Sequence, residues 1–154
     1  MKRGLSNETK QAFRFRENWR WLPIKEALIG SYLVSPSLHV CSGKSKLGDV
    51  QVDLWMPASV KASMLLLPFQ SNCFKSVLCD PPWRMANHFR PKLLWELRRV
   101  LCVGGRLILR APWTPKIPRL DRVEVFIDEP VAFWTNADIY SVYEKRQQVL
   151  DQFV

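Results

Sequence analysis

Three short stretches of this chain combine residue types that could do chemistry: Cys41-Ser42-Gly43-Lys44-Ser45, Asp53, and Asp80-Pro81-Pro82-Trp83. The last is the most unusual. A carboxylate accepts hydrogen bonds and carries charge, two prolines fix the backbone that presents it, and an indole offers a flat face for another ring. The same four residues also suit a plain chain reversal with Trp83 in the core. Cys41 to Ser45 is a turn-forming run of small residues, with Lys44 and Lys46 either set against an anion or simply solvated. Asp53 closes a strand-like run, where it either holds a ligand or ends the strand in solvent. His88 has no evident ligand partner and reads as a surface or helix-capping residue.

The elements that must position these residues can be read from hydrophobic periodicity. Leu38-His39-Val40 is a short buried strand that ends at the turn residues Ser42 and Gly43. Residues 50–54 alternate as a second strand, 62–67 are apolar and ambiguous, and Ser76-Val77-Leu78-Cys79 is a compact strand stopped by Pro81 and Pro82. A short helix follows Pro23 and ends at Gly30. A second helix spans 91–101, with Leu93, Leu94, Leu97 and Leu101 in one stripe, and Gly104-Gly105 ends it and opens the strand 106–109. Residues 122–127 and 139–143 alternate again. Their short link around Trp134-Thr135-Asn136 leaves no room for a crossover, so they form an antiparallel pair. The tail from Lys145 reads as helical and polar.

Strands alternating with helices argue for an α/β, doubly wound, mainly parallel sheet with a C-terminal antiparallel strand pair. In such sheets ligands bind beyond the carboxyl ends of the strands, and the Cys41 turn, Asp53 and the Asp80 loop all fall at those ends. The link from Gly43 to Asp53 is too short for a crossover helix. Either that helix is missing or the second strand lies elsewhere.

A length of 154 residues suits one domain, read as 23–154, preceded by an arm over 1–22. The arm interleaves Lys2, Arg3, Lys10, Arg14, Arg16 and Arg20 with Phe13, Phe15, Trp19 and Trp21. Those aromatics can stack on bases while the cations meet phosphates, or they can pack on the domain. A net charge of +9 points to an anionic partner such as nucleic acid, or to a solvated basic surface. Cys41, Cys73, Cys79 and Cys102 form no CxxC pair, which argues against a zinc ribbon or a redox dithiol and for a reducing compartment. With neither a signal peptide nor an apolar run of about 18 residues, the expected location is cytoplasmic and away from membranes.

Two blocks carry a resemblance. The first is Leu67-Pro68-Phe69-Gln70-Ser71-Asn72-Cys73-Phe74-Lys75-Ser76-Val77-Leu78-Cys79-Asp80-Pro81-Pro82-Trp83, and the second is Leu97-Arg98-Arg99-Val100-Leu101-Cys102-Val103-Gly104-Gly105-Arg106-Leu107-Ile108-Leu109. In order and spacing they resemble the class I S-adenosylmethionine-dependent methyltransferases, over a stretch from about Leu38 to Trp113. The resemblance implies a Rossmann-like fold, S-adenosylmethionine as cofactor and methyl transfer as the activity. It implies a cofactor loop at Cys41, Ser42 and Gly43, an acid for the ribose hydroxyls at Asp53, an adenine-contacting position at Ser63 with Met64 beside it, and a catalytic loop at Asp80, Pro81, Pro82 and Trp83. Cys41 and Ser45 replace glycines of that family's loop, His39 replaces its preceding acid, and Ser63 replaces another acid.

An acid, two prolines and an aromatic resemble the loop of methyltransferases that act on exocyclic amines of nucleic-acid bases, adenine favoured. An aryl amine is a poor nucleophile because its lone pair is delocalised. Acceptors at Asp80 and the Pro81 carbonyl would bind its hydrogens and favour the tetrahedral nitrogen, while Trp83 stacks on the base. Two other readings stay open: a small-molecule methyltransferase, and a catalytically silent domain that binds nucleic acid or a partner subunit. A partner subunit or the arm would then supply target choice.

Overall fold

The computed structural model describes residues 23–128 and 138–147. The arm over 1–22, the Trp134-Thr135-Asn136 loop and the tail beyond 147 lie outside the described residues. Helix α1 spans Pro23–Gly30. Strands β1 (Ser37–Val40), β2 (Val50–Asp53), β3 (Val60–Lys61) and β4 (Phe74–Cys79) follow with no helix between them. Helices α2 (Trp83–His88) and α3 (Arg90–Val100) connect β4 to β5 (Leu101–Arg110). Strands β6 (Leu120–Asp128) and β7 (Asp138–Lys145) complete a seven-stranded sheet of order β3-β2-β1-β4-β5-β7-β6.

The first five strands in that order are parallel, and β7 runs antiparallel to both β5 and β6. The α/β class and the C-terminal antiparallel pair are therefore as the sequence indicates. The missing crossover is real as well: β1 and β2 pair in parallel across a link of residues 41–49 that holds no helix. No helix of the described residues is long and apolar enough to cross a membrane.

Strands buried on both faces read as continuous apolar runs. Val77 and Leu107 point into one core with Leu93, Leu97 and Val100 of α3, while Leu78 and Ile108 point into a second core with Ile29 of α1, Tyr140 and Val142. The two resemblance blocks meet physically. Arg99 Nη1 donates to the Phe69 carbonyl at 2.6 Å, its Nη2 donates to the Leu67 carbonyl at 2.9 Å, and the Leu67 amide donates to Glu96 Oε2 at 2.8 Å. The Leu-Pro-Phe turn is thus bolted to α3.

The structure corrects or completes several expectations. Gly104-Gly105 does not end the helix, because β5 has already begun at Leu101. The pair sits in an irregular stretch of the β4–β5 ladder, where a Cβ on Gly105 would lie 2.8 Å from the Cys102 carbonyl and 2.9 Å from that of Lys75. The ambiguous run 62–67 is a turn after the short β3. Trp83 is not a loop residue but the first of α2, a helix too short to leave a periodic signal. Lys145 ends β7 and residues 146–147 are not helical, while the rest of the tail lies outside the described residues. Val123, Val125 and Ile127 alternate along the edge strand β6 and are exposed.

Candidate functional site

Strand order reverses between β1 and β4, since the chain leaves β1 toward β2 on one side and returns to β4 on the other. Ligand sites of open α/β sheets form at such a switch point, beyond the carboxyl ends. The Cys41 turn and the Asp80 loop both leave the sheet here, and the Asp80 amide donates to the Val40 carbonyl at 3.3 Å.

The turn after β1 is built from unusual backbone. Cys41 and Gly43 both have positive φ, 59° and 56°. The Ser42 amide donates to the Val52 carbonyl at 3.1 Å, and the Gly43 amide donates to Asp53 Oδ2 at 3.0 Å. Asp53 is therefore brought against the turn, as the sequence argument requires. Its Oδ1 accepts from the amides of Trp55 and Met56 at 2.8 and 2.9 Å. Three amides occupy two oxygens, which leaves lone-pair capacity for one more donor.

Ser42 Oγ is buried and has no hydrogen-bond partner among the described residues. A Cβ on Gly43 would meet nothing within 4 Å, so the backbone there faces open space. Met64 is buried and accepts a hydrogen bond from the Cys41 thiol at 3.6 Å, whereas Ser63 only caps its own turn, accepting from the Leu65 amide. These features fit an adenosyl cofactor: an accessible backbone turn, an orphan hydroxyl and a carboxylate with one acceptor position left. His39, which takes the place of an acid, is buried, and burial pushes its pKa down to about 3, so it stays neutral. Cys79 is pushed well up by burial and by its neighbour Cys41, which makes it an inert thiol rather than a nucleophile.

The Asp80 carboxylate is only 9% exposed and is not left free. Arg110 Nη1 donates to both of its oxygens, at 2.9 and 3.1 Å, and Arg110 Nη2 donates to Asp138 Oδ1 at 2.6 Å. One nitrogen shared by two oxygens leaves each oxygen able to accept again. Burial pushes the Asp80 carboxyl up to about 6, against the pull of Arg110 and with the push of Asp138. The Arg110 guanidinium lies 5.5 Å from the centre of the Trp83 ring. Pro81 is buried, and Pro82 and Trp83 are half-buried at the mouth of the loop.

Sequence reasoning missed Arg110 and Asp138. The signal for Arg110 was present, because a lone arginine ends the otherwise apolar run Leu107-Ile108-Leu109. Asp138 belongs to a strand that enters the sheet antiparallel, and only its pairing with β5 shows which side chains it brings to the edge. Sequence reasoning also missed Trp113, Asn87 and Arg90, which cluster beside the loop. Trp113 Nε1 donates to Asn87 Oδ1 at 2.7 Å, and Arg90 Nη2 donates to the same oxygen at 3.0 Å. No group of three or more metal-ligating side chains occurs among the described residues.

No known sequence family matches the chain, and no curated protein does. Solved structures do. A S-adenosylmethionine-dependent methyltransferase from Methanosarcina mazei superposes with a TM-score of 0.56 at 13% identity, over 84% of this chain and 100% of that one. The 1,6-didemethyltoxoflavin-N1-methyltransferase of Burkholderia thailandensis, solved with 1,6-didemethyltoxoflavin and S-adenosylhomocysteine bound, gives 0.60 at 12% identity, over 96% and 94%. TrmN from Thermus thermophilus gives 0.53 at 16% identity over 79% of this chain, which spans only 47% of that protein's length. The chain thus has the fold of the S-adenosylmethionine-dependent methyltransferases, and its β1–β2, β2–β3 and β3–β4 links are loops.

Proposed function

We propose that this chain is a S-adenosylmethionine-dependent methyltransferase whose acceptor is an exocyclic amine of a nucleic-acid base, adenine favoured. The observation that carries this reading is the placement of Asp80-Pro81-Pro82-Trp83 at the switch point, directly beside the Cys41–Gly43 turn. The cofactor, when bound, supplies an electrophilic methyl group. Ser42, the Gly43 backbone, Asp53 and Met64 are the groups placed to hold it.

Asp80 and the Pro81 carbonyl are the groups placed to accept the amine hydrogens. Arg110 fixes the Asp80 carboxylate so that its remaining lone pairs stay aimed, which is electrostatic preorganisation. Orientation of this kind can contribute up to about 7–11 kcal/mol of a barrier. Trp83 offers an indole for the base.

Calorimetric titration with S-adenosylmethionine is the first test, followed by transfer of labelled methyl to mixed RNA and single-stranded DNA with nucleoside analysis. Asp80→Ala should abolish transfer while the folded variant still binds cofactor, and Asp80→Asn should keep part of the activity because the amide retains one acceptor oxygen. Full activity in a folded Asp80→Ala variant would sink the assignment. The absence of a helix from the β1–β2, β2–β3 and β3–β4 links favours one second reading, a catalytically silent domain, which predicts no heat of cofactor binding at all.

A further inference from the structure

We propose that the outward face of α3, together with the loop after β5, is a track for single-stranded nucleic acid, in which bases stack on Trp95 and at the exposed part of Trp113 and a phosphate sits at Arg98. This deepens the reading above and rests on it only for how the strand reaches Asp80. The charge distribution is lopsided. Residues 81–119 hold nine Lys and Arg but a single acid, Glu96; Arg99, Arg106 and Arg110 are ion-paired to Glu96, Glu144 and the Asp80–Asp138 pair, and Arg84, Arg90, Lys92, Arg98 and Lys116 carry the excess. Glu96 is itself buried and tied to Arg99 and the Leu67 amide, so it offers no counter-charge outside.

The aromatic placement is as unusual as the charge. Trp95 stands 59% exposed on a helix whose apolar stripe, Leu93, Leu94, Leu97 and Val100, is already buried on the opposite side. The Arg98 guanidinium lies 4.3 Å above the Trp95 ring and is anchored by donation to the Pro118 carbonyl at 3.1 Å. Trp113 stands at the other end of the helix, half-buried against the core, with the Arg90 guanidinium 4.2 Å above its ring and Asn87 fixing both side chains. About 12 Å of helix separates Arg90 from Arg98. Two indoles, each steadied by a guanidinium on a basic face, are the combination that binds single strands without sequence preference.

Arg98, held over the Trp95 ring and tied to the Pro118 carbonyl, supplies the cation that meets a phosphate of a strand stacked there. An acidic protein would meet the charge but would leave the exposed Trp95 indole without purpose, and in a duplex the bases are paired and stacked away from it.

The test is fluorescence anisotropy of the full chain with labelled mixed-sequence single-stranded DNA and RNA of about 12 nucleotides, a length in the range such grooves accommodate, across a salt series and without cofactor. Trp95→Ala should weaken binding by roughly tenfold, within the loss expected for one stacked base, and leave the salt slope unchanged. Arg98→Gln should reduce the log–log salt slope by about 0.7, the value for one phosphate contact on a single strand. Trp113→Ala should match Trp95→Ala, with Trp113→Phe restoring most of the affinity. Ile24→Ala, on the far flank and 77% exposed, should bind as the parent does. Parent-like binding by both Trp95→Ala and Arg98→Gln would overturn the track and leave binding to the arm. So would duplex DNA bound as tightly as single strands, or heparin competing fully while Trp95→Ala has no effect. If the variants behave as expected but no methyl reaches nucleic acid, the track stands and the catalytic reading falls.

Discussion

Strands β4 and β5 run six and ten residues and are connected through α2 and α3, whereas β1, β2 and β3 run four, four and two and are joined by loops alone. The first pair is held by apolar burial, with Leu93, Leu97, Val100 and Leu101 fully inside. The second group replaces helices with side-chain caps. Asp49 Oδ2 accepts from the Ser37 amide at 2.8 Å and returns its own amide to Ser37. Gln51 Nε2 reaches the carbonyls of Gly48 at 2.6 Å and Leu47 at 3.3 Å, while its oxygen accepts from Ser59 Oγ at 2.6 Å. Burial stabilises roughly in proportion to area, but each net hydrogen bond adds only about 1 kcal/mol. Leu38, Val40 and Val52 are buried as well, so it is the helix-free links of this group, beside the proposed cofactor site, that should open more readily than the half carrying α3.

The strongest way to break this contrast is at the seam, where the Asp80–Arg110–Asp138 network ties the Asp80 loop to β5 and β7. Arg110→Met should destabilise by about 3–5 kcal/mol, because it strands two buried carboxylates. Equilibrium urea unfolding checks it, and a loss under about 1 kcal/mol would mean the network is open to water. The same carboxylate gives a pH signature. Asp80 is held near 6, above the ordinary carboxylate range, so its contribution is fully present below about pH 4 and is lost as pH rises through 6. His39, held near 3, works the other way: its contribution is present above about pH 6.5 and is lost as pH falls. Asp80→Asn removes the first and exposes the second. The stability of the variant relative to the parent should rise between pH 4 and 6 by up to about 1.4 kcal/mol per unit, and a flat difference curve would refute the shift.

Leu97→Ala probes the helical half alone. This side chain is fully buried in the stripe that packs α3 on the sheet, and its truncation should cost about 2–5 kcal/mol as a global loss. Gln51→Ala probes the other half. It should cost only about 1–2 kcal/mol, and the cost should be local: amides of residues 44–53 should exchange faster with solvent while those of β4 and β5 keep the parent's protection. Equal acceleration in both halves would erase the distinction.

How legible each half was in the sequence follows the same division. Strands β4, β5 and helix α3 announce themselves through apolar runs and a leucine stripe, since burial is what holds them. Asp80 and the Cys41 turn were placed at the right edge for the same reason: both follow buried strands. The rest depends on partners far apart in sequence. Nothing in Asp53 alone says that it caps Gly43, Trp55 and Met56, and nothing in Arg110 alone says that it spans Asp80 and Asp138. The exposed alternation of Val123, Val125 and Ile127 shows the converse, because period two marks a strand but not which face is covered.

The smallest effect gives the sharpest view of the cofactor side. Cys41 holds a left-handed φ of 59°, which costs a residue with a Cβ roughly 1–2 kcal/mol and costs glycine little. Cys41→Gly relieves that strain but loosens the unfolded chain and loses the contact of the thiol with Met64. The net change in stability should therefore stay within about 1 kcal/mol. Gly43→Ala is the complementary change. Its φ of 56° imposes a similar backbone cost, yet the added methyl meets no protein atom within 4 Å. Any loss of S-adenosylmethionine affinity in Gly43→Ala must then come from a ligand that needs the empty space, once the shift in unfolding is subtracted. The expected pattern is tighter binding for Cys41→Gly and binding weakened at least tenfold for Gly43→Ala. If Gly43→Ala binds cofactor like the parent, the turn after β1 is not where the cofactor lies.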